Sequence, residues 1–473
     1  MPWILGIAHP TGFPLFTLAG WAFSHALPIG TVAWRMNVLS GLCLAVAAGA
    51  LTLMSLMLGA APIEAFLGTL LFTWCMASWN KGTHADPHAM SLMFIVLVLL
   101  FAIRYGRGGA ARDLIVAAAC GGLGLATHPE VLYSLPAIAA AVCVRRRPRL
   151  RTLAWTFAAL LLPLAFYAYL PLRSAYVAAH GLDPLAGPPF GDAGASEWDA
   201  NHTRTLSGFL DEVSGRQFGA SDALPSLFNL KQYPAAFTYW WQFAQTQLPL
   251  LAMILAALGA IGLLLRDRRS ALILVAGTLG AVPFVYAYKN VEGDVSRYLL
   301  PSFAVMAVLA AVSARIDVPR VDLFGRRFAA CVVLMVAVAL QWNRSAPALA
   351  DRFDPGGQPS IDSVRRNIPD RSIIVAGWVD ATSLQYAAFV DRSLGARLVV
   401  AGWPGEFRSR YLAWTQQRPV YIYADPHTYA NVQTALPRAW LTASAGTDGY
   451  HHVYRVIVRD QTSPARGNRA ASR

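Results

Sequence analysis

Residues 89–105 read Ala-Met-Ser-Leu-Met-Phe-Ile-Val-Leu-Val-Leu-Leu-Phe-Ala-Ile-Arg-Tyr, and this run shows what kind of fold the chain adopts. It is apolar up to Arg104, and two further arginines, Arg107 and Arg112, follow it. A helix needs about 20 mostly apolar residues to cross a lipid bilayer. Over all 473 residues, 56% are hydrophobic and only 14% are charged, whereas soluble domains are about 25% charged. The sequence therefore predicts a polytopic α-helical membrane protein.

Nine further apolar runs bring the number of predicted spans to ten. Several are shorter than a full crossing, and the run at 112–127 is rich in glycine and alanine, which favours close packing of helices. The predicted spans are residues 33–59, 61–79, 88–105, 112–127, 130–145, 152–172, 247–266, 269–288, 298–315 and 328–343.

The arginines indicate how these spans are oriented. Lys and Arg number 39 against 26 Asp and Glu, which gives a formal net charge of +13. Four short loops hold most of this excess, while the short loops between them hold only Lys81, Lys289 and Arg297. Basic loops stay in the cytoplasm during insertion, so the charge is a topology signal and does not indicate a nucleic-acid surface. The loop arginines are Arg104, Arg107, Arg112, Arg145, Arg146, Arg147, Arg149, Arg151, Arg266, Arg268, Arg269, Arg315, Arg320, Arg326 and Arg327.

Three regions are predicted to face outward: an amphipathic segment at 1–32, a large loop at 173–246 within the membrane domain (residues 33–346), and a separate domain at 347–460. In that domain, short β-type runs alternate with helical patterns, which is typical of a small α/β domain with a largely parallel sheet. Residues 461–473 are expected to be a disordered tail. The β-type runs are 372–378, 397–402, 419–423 and 451–458, and the helical patterns are 380–393 and 406–416.

The polar residues of chemical interest lie at the predicted outer boundary of the membrane. The run Leu5-Gly-Ile-Ala-His9-Pro10 places His9 at a turn before a helix, where it either lines a site or is a surface residue. Asp86 precedes a proline, as at many helix starts, and its carboxylate could also act as a general base. The spacing of His84, Asp86 and His88 could suit a metal, but a fourth ligand is not evident, so no metal site is predicted.

Two further acids, two cations and a second histidine complete the predicted site. Glu130 lies in the turn between two spans and is either a second catalytic acid or simply part of that turn. Arg173 and Arg297 break the trend of the other membrane-proximal arginines, so each is a candidate ligand for phosphate, with interfacial snorkelling as the alternative. His128 and Asp294 are expected to line the same substrate site.

Several ordered motifs are similar to one known family. The run Leu5–Leu15 carries the most specific match and Pro28–Ser40 continues it. Together these motifs resemble the membrane O-mannosyltransferase family typified by transmembrane protein 260, known in bacteria as domain of unknown function 2723. The similarity reaches to about residue 315 and is looser beyond it. The later matching motifs are Tyr169–Ser174, Thr205–Leu210, Gly215–Phe218 and Arg297–Pro301.

The resemblance implies an inverting glycosyltransferase of the GT-C architecture, in class EC 2.4. Such enzymes take a sugar, here mannose or another hexose, from a polyprenyl phosphate at the outer leaflet, and a carboxylate deprotonates the acceptor hydroxyl. Asp86 and Glu130 are then the candidate catalytic acids, and Arg173 and Arg297 the contacts of the lipid phosphate. The acceptor is a protein or a glycan, and no cofactor or nucleic acid is expected.

Two departures from the family pattern bear on activity. In the family, a first transmembrane helix and an Asp-[Ser/Thr]-Gly-Glu motif precede the Leu-Gly-Ile run, whereas this sequence starts at Met1. We expect that the start codon was assigned too late, the alternative being a truncated and inactive relative. Residues 85–88 read Ala-Asp-Pro-His where the family has Ala-Glu-Val-Tyr, so the acid is kept as Asp86.

The sequence thus predicts a glycosyltransferase in the bacterial inner membrane, with its α/β domain on the periplasmic side. Two other classes are a transporter of lipid-linked sugars and a binding protein that recognises a partner through the α/β domain. A transporter is disfavoured because internal repeats are not evident and the acids cluster at the outer surface, not at the bilayer midplane.

Overall fold

The chain divides into two compact units, each with its own hydrophobic core. The helical unit comprises residues 1–173 and 202–353, and the sheet unit comprises residues 174–201 and 354–473. The structure, a computed structural model, describes residues 1–145, 148–187, 190, 198–219, 224–288, 295–317, 319–350, 357–443 and 450–458.

The apolar runs form helices, since within lipid a helix satisfies its own backbone hydrogen bonds. An apolar helix lies at each of the ten predicted positions. The α-helices between residues 1 and 350 are α1 (Pro14–Ala26), α2 (Val32–Met57), α3 (Pro62–Thr73), α4 (Met76–Thr83), α5 (Pro87–Gly108), α6 (Ala111–Leu125), α7 (Pro136–Cys143), α8 (Leu150–Leu161), α9 (Tyr169–Ala179), α10 (Leu206–Ser214), α11 (Tyr233–Gln247), α12 (Leu250–Arg266), α13 (Arg268–Ala276), α14 (Ala281–Tyr288), α15 (Leu300–Ala311) and α16 (Leu323–Ala350).

The lengths of these helices support a multi-pass membrane protein. By length and composition, five helical stretches among the described residues are sufficient to cross a membrane, and other apolar helices are shorter. Because several of the ten predicted spans correspond to these shorter helices, the helix lengths alone do not establish ten full crossings. The five stretches are Val32–Met57, Pro87–Gly108, Leu150–Ala179, Arg268–Tyr288 and Leu323–Pro347, and the shorter ones include Pro62–Thr73, Pro129–Cys143, Leu250–Arg266 and Arg297–Ala311.

Helix α5 shows how local sequence sets these boundaries. Its first residue is a proline, and the Asp86 side chain accepts a hydrogen bond from His88 N at 2.8 Å, which caps the start. It ends at Gly109, whose φ of 75° suits glycine at a helix C-terminus. Between these ends, side chains such as Leu99 are fully buried in the main core of the unit.

The four arginine-rich loops meet at one end of the helical unit, here called the arginine-rich end. Arg145 donates to the carbonyl of Arg107 at 2.7 Å, and Arg107 lies 3.5 Å from Asp267. Arg266 pairs with Asp317, which also accepts from Arg326 at 2.7 Å. These contacts link all four loops, so the clustering of arginines at one end, which the sequence predicts, is present in the fold.

The sheet unit contains a five-stranded sheet in the order β2-β1-β3-β5-β4. Strands β1, β2 and β3 are parallel, with Ile373 beside both Leu398 and Val420, whereas β5 runs antiparallel to β3 and to β4. The elements are β1 (Ile373–Ala376), β2 (Leu398–Ala401), β3 (Val420–Ala424), β4 (Leu441–Ala443) and β5 (His452–Val456), with α17 (Gln358–Asn367), α18 (Trp378–Phe389), α19 (Tyr411–Gln417) and α20 (Pro426–Ala435).

Two features of this unit differ from the sequence-based expectation. The sheet is mixed, because the chain returns through a hairpin-like β4–β5 pair in place of a further crossover helix. Part of the predicted outer loop also belongs to this unit: Phe190 is buried in its core against Trp414, at a ring distance of 5.7 Å, and its carbonyl accepts from Arg410. The predicted tail 461–473 lies outside the described residues.

Candidate active site

A cavity of about 300 Å³ opens in the helical unit near the starts of α5 and α15. Phenylalanines and tyrosines make up six of its eighteen lining residues, and a small number of polar groups converge on it, which is the usual character of a small-molecule site. The hydroxyl of Thr11 is buried in this wall and has no hydrogen-bond partner among the described residues. The lining residues are His9, Pro10, Thr11, Phe13, His88, His128, Pro129, Glu130, Leu132, Tyr133, Val213, Ser214, Gly215, Phe218, Phe284, Tyr288, Arg297 and Tyr298.

The segment before α1 forms one wall of the cavity. Gly12 adopts a φ of 78°, which favours glycine, and a Cβ there would lie 2.9 Å from Leu170 Cδ2, so the end of that side chain would have to shift. Arg173 fixes the start of the same segment: its Nε donates to the carbonyl of Leu5 at 2.7 Å and its Nη2 to that of Ile4 at 2.8 Å. His9 is thereby held in the wall.

His88 and Glu130 form a buried pair within the cavity wall. Each is 6% exposed, and His88 Nδ1 lies 2.9 Å from Glu130 Oε2. Because a carboxylate only accepts hydrogen bonds, this contact places a proton on Nδ1 of His88, and in the neutral tautomer of the ring Nε2 then has a lone pair. The pair therefore has the arrangement of a general base whose ring is oriented by a carboxylate.

His128 packs beside this pair, 4.5 Å from the His88 ring between centroids. Its Nδ1 accepts a hydrogen bond from the backbone N–H of Glu130 at 3.1 Å, which places the ring proton on Nε2. Burial lowers the pKa of His128 well below its ordinary value of 6.5, and the nearby His88 and Arg297 act in the same direction. His128 is thus a neutral hydrogen-bond donor at physiological pH.

His9 is also held in its neutral form. Burial lowers its pKa, and the charge of Arg297 lowers it further, although the hydrogen bond from Nδ1 to the Pro10 carbonyl opposes this. Its ring meets those of Phe13 and Phe218 edge to face, at 5.2 and 5.5 Å between centroids. With His9 and His128 neutral, the Arg297 guanidinium supplies positive charge to this cavity wall.

Arg297 lies half-buried at the cavity, next to the start of α15. Its guanidinium carbon is 5.0 Å from the centre of the Tyr298 ring, and Nη2 lies 3.4 Å from the Tyr298 hydroxyl. This stacking holds the planar guanidinium in one orientation. Its positive charge lowers the pKa of His9 and of His128. An anionic group bound in the cavity would find its countercharge here.

Asp86 has a different environment, and it is absent from the cavity lining given above. One carboxylate oxygen caps α5, and the other lies 3.1 Å from Lys81 Nζ. Burial alone would raise the pKa of Asp86, but His88 and Lys81 outweigh it and the pKa is lowered. Asp86 is therefore an ionised carboxylate that joins α4 to α5.

The donor atoms of His88, His128 and Glu130 all lie within 4.8 Å of one another, and this residue set is known to bind zinc. The hydrogen bonds of the cluster are less suitable, because His128 carries its proton on Nε2 and His88 already donates to Glu130. Metal binding would require a change in both contacts. The cluster as it stands is better described as a hydrogen-bonded group.

Of the residues proposed from sequence, the fold brings His9, His128, Glu130 and Arg297 to one cavity. Arg173 lies behind the N-terminal wall, Asp86 serves the start of α5, and Asp294 lies outside the described residues. Sequence reasoning did not assign His88 to the candidate site. Its position where the resembled family has tyrosine, two residues after the retained acid Asp86, was the available signal.

Comparison with known proteins connects this geometry to a family. Residues 2–151 match the model for the Protein O-mannosyl-transferase TMEM260 N-terminal domain. The mouse Protein O-mannosyl-transferase TMEM260 is 28% identical over 324 residues, which are 65% of this chain and 44% of that protein. The Dictyostelium discoideum protein of the same name is 29% identical over 104 residues, which are 22% of this chain and 13% of that protein. The chain thus aligns with less than half the length of these relatives.

Solved structures show the same fold. ArnT from Cupriavidus metallidurans bound to undecaprenyl phosphate superposes with a TM-score of 0.52 at 11% identity, covering 96% of this chain and 88% of ArnT. The apo state of ArnT gives a TM-score of 0.51 at 12% identity with the same coverage. This is the GT-C fold. Residues 2–151 are thus similar to the N-terminal domain of Protein O-mannosyl-transferase TMEM260, and the chain shares its fold with ArnT.

Proposed function

We propose that this protein transfers a hexose, with mannose as the first candidate, from a polyprenyl phosphate to an acceptor hydroxyl on a protein or glycan. The observation that carries the proposal is that the His88–Glu130 pair and the Arg297 guanidinium line one cavity of about 300 Å³. Glycosyl transfer needs a base for the acceptor and a cation for the leaving phosphate, both within reach of one bound sugar.

Arg297 is proposed to bind the phosphate of the donor. A guanidinium offers paired hydrogen bonds to phosphate oxygens, and the N–H at Nε2 of His128 can add a further one. The likeness to an ArnT structure bound to undecaprenyl phosphate supports a donor of this class. Around the sugar, the aromatic walls and the Thr11 hydroxyl supply packing and hydrogen bonding. Arg173, which the sequence suggests as a second phosphate ligand, is proposed to position the N-terminal wall, because its side chain donates to backbone carbonyls there.

His88 and Glu130 are proposed to act together on the acceptor. The acceptor oxygen attacks the anomeric carbon while the bond from that carbon to the phosphate oxygen breaks, and polyprenyl phosphate leaves with the electron pair. The hydroxyl proton passes to Nε2 of His88, and Glu130 stabilises the resulting imidazolium. A single displacement of this kind inverts the configuration at the anomeric carbon. Asp86 supports the site through its contacts with Lys81 and α5.

The positive-inside rule gives the proposed orientation. The arginine-rich end faces the cytoplasm, so the cavity opens on the opposite, periplasmic side of a bacterial inner membrane. The donor would then be consumed in the outer leaflet, where a polyprenyl-linked sugar meets acceptors that have already left the cytoplasm.

The proposal is tested with the purified chain in liposomes, undecaprenyl-phosphate [³H]mannose and a periplasmic extract as the acceptor pool. Acceptor-dependent movement of label from the lipid phase into protein or glycan supports it. Movement of intact donor across the bilayer without consumption would show a transporter. Saturable donor binding with no release of undecaprenyl phosphate would show a binding protein or a degenerate enzyme.

A further inference from the structure

A second cavity, of about 550 Å³, lies at the arginine-rich end of the helical unit and shares no lining residue with the first cavity. Three arginines, Arg145, Arg149 and Arg269, contribute to its lining together with Thr152. They come from the segments between α7 and α8 and at the start of α13. A cavity with this lining is suited to an anion and has no part in the reaction proposed above.

Two of these arginines remain available for a ligand. Arg145 is used by the fold, because its Nη1 and Nη2 donate to the carbonyls of Arg107 and Gly108 at 2.7 and 3.0 Å. The side chains of Arg149 and Arg269 are exposed and make no hydrogen bond or ion pair with the described part of the chain. The cavity therefore holds positive charge that the described residues leave uncompensated.

The acids nearest to these loops are already paired elsewhere. Asp113 lies 3.3 Å from Arg104, and Asp267 lies 3.5 Å from Arg107 while its carboxylate also accepts from Ser270. Neither is therefore free to neutralise the cavity arginines. An external anion is the natural source of the missing countercharge.

The helix starts at this cavity favour the same conclusion. Helix α6 begins at Ala111 and α8 at Leu150, and at neither start does a side chain of the described residues accept a hydrogen bond from the first amides. Ala111 and Arg149, the residue that precedes α8, both line the cavity. The first N–H groups of a helix carry partial positive charge and bind phosphate oxygens. Two such starts and the arginines converge on one polar space.

We propose that this cavity binds the phosphate of an anionic phospholipid. It lies where apolar helices end, at the depth of lipid head groups, and basic pockets between transmembrane helices on this side bind such head groups. The chemistry recognised is a phosphate group, and a phospholipid is favoured over free phosphate because its acyl chains can pack along the adjacent apolar helices.

The test compares two double variants with the same loss of charge. In Arg149→Gln/Arg269→Gln both changed residues line the cavity, whereas Arg112→Gln/Arg268→Gln removes two other arginines of the arginine-rich end that are absent from its lining. Native mass spectrometry of the full chain, released from micelles containing phosphatidylglycerol or phosphatidylcholine, counts retained lipids. Each protein's Tm in phosphatidylcholine checks its folding.

We expect the wild type and the control to retain one saturable phosphatidylglycerol, and Arg149→Gln/Arg269→Gln to bind it about tenfold more weakly or worse. Equal retention by both double variants would overturn the proposal, as would equal retention of phosphatidylcholine by the wild type. Inorganic phosphate provides the final arm of the test. If inorganic phosphate raises the Tm of the wild type, and the wild type retains phosphatidylglycerol no better than phosphatidylcholine, a lipid is not the ligand.

Discussion

His88 Nδ1 and Glu130 Oε2 are 2.9 Å apart although the residues are separated by 42 positions in the chain. The contact joins the first turn of α5 to the turn that follows α6, and both side chains are buried. Two features make this pair, and not Asp86, the proposed place of the chemistry: both residues line the cavity, and His88 in its neutral tautomer has a lone pair on Nε2. The predictions below follow from this arrangement and from the residues that support it.

Asp86 and Lys81 provide the first prediction. Asp86→Asn keeps a good helix cap but removes the charge that pairs with the buried Lys81, so we expect the free energy of unfolding to fall by roughly 3 kcal/mol. Adding Lys81→Met should restore much of that loss. Thermal unfolding of the two variants in detergent measures both effects.

Transfer per folded molecule separates the two roles of Asp86. If it supports the site, the Asp86→Asn/Lys81→Met protein retains substantial transfer. Complete loss of transfer at normal stability would instead make Asp86 the base.

The buried His128 predicts how stability depends on pH. Its pKa is lowered in the folded protein, so the unfolded chain takes up a proton near pH 6.5 while the folded chain does not. Stability is therefore full above pH 6.5 and decreases as the pH falls below it. Asparagine can cap the same turn without titrating, so His128→Asn should flatten the decline between pH 6.5 and 5.5. Tm measured across this range checks the prediction, and an identical decline in the variant would contradict it.

Substitutions of Arg297 are predicted to weaken donor binding. Arg297→Ala should weaken binding of undecaprenyl-phosphate mannose by roughly 10- to 100-fold, because a charged hydrogen bond to phosphate is lost. Arg297→Lys keeps the charge without the paired geometry and should recover part of the loss. The matched control is Arg344→Ala, whose side chain donates to the Gln245 carbonyl away from the cavity. Unchanged donor affinity in Arg297→Ala at normal membrane abundance rejects its role.

A substitution at Gly12 tests whether the N-terminal wall contributes to donor binding. Gly12→Ala must adopt a φ of 78° and meets Leu170 at 2.9 Å, so it should destabilise the wall by about 1–2 kcal/mol from the backbone alone. Because His9 and Phe13 flank this turn, donor affinity should fall as well. Gly49→Ala is the control, since a Cβ there meets nothing within 4 Å. Limited proteolysis of the N-terminal segment together with donor binding measures the effect, and two indistinguishable variants would argue against it.

Much of the helical unit follows from the sequence, and physical reasons explain this. Apolar runs such as 88–105 must form helices in lipid, and the arginine clusters fix which helix ends lie together. The sheet unit is less predictable from the sequence. The three-residue strand Leu441–Ala443 is too short to show the alternating pattern of a strand. No local sequence pattern indicates that Phe190 packs against Trp414, which lies more than 200 residues further along the chain.

The candidate site was predictable in its location more than in its detail. Turn residues before helices placed His9, His128 and Glu130 at one end of the spans, and Arg297 was marked by its departure from the charge pattern. The pairing of His88 with Glu130 depends on how α5 packs against the turn after α6, which composition does not encode. Arg173 had the same signal as Arg297, yet its guanidinium binds backbone carbonyls.

The most direct test of the central claim is a single-turnover assay of Glu130→Gln beside the wild type, with undecaprenyl-phosphate [³H]mannose and the acceptor extract. Glutamine keeps the shape of the side chain but cannot stabilise a protonated His88. We expect the variant to bind the donor with near wild-type affinity while the rate of acceptor-dependent release of undecaprenyl phosphate falls by about 10²- to 10⁴-fold. A wild-type release rate in Glu130→Gln would contradict the account.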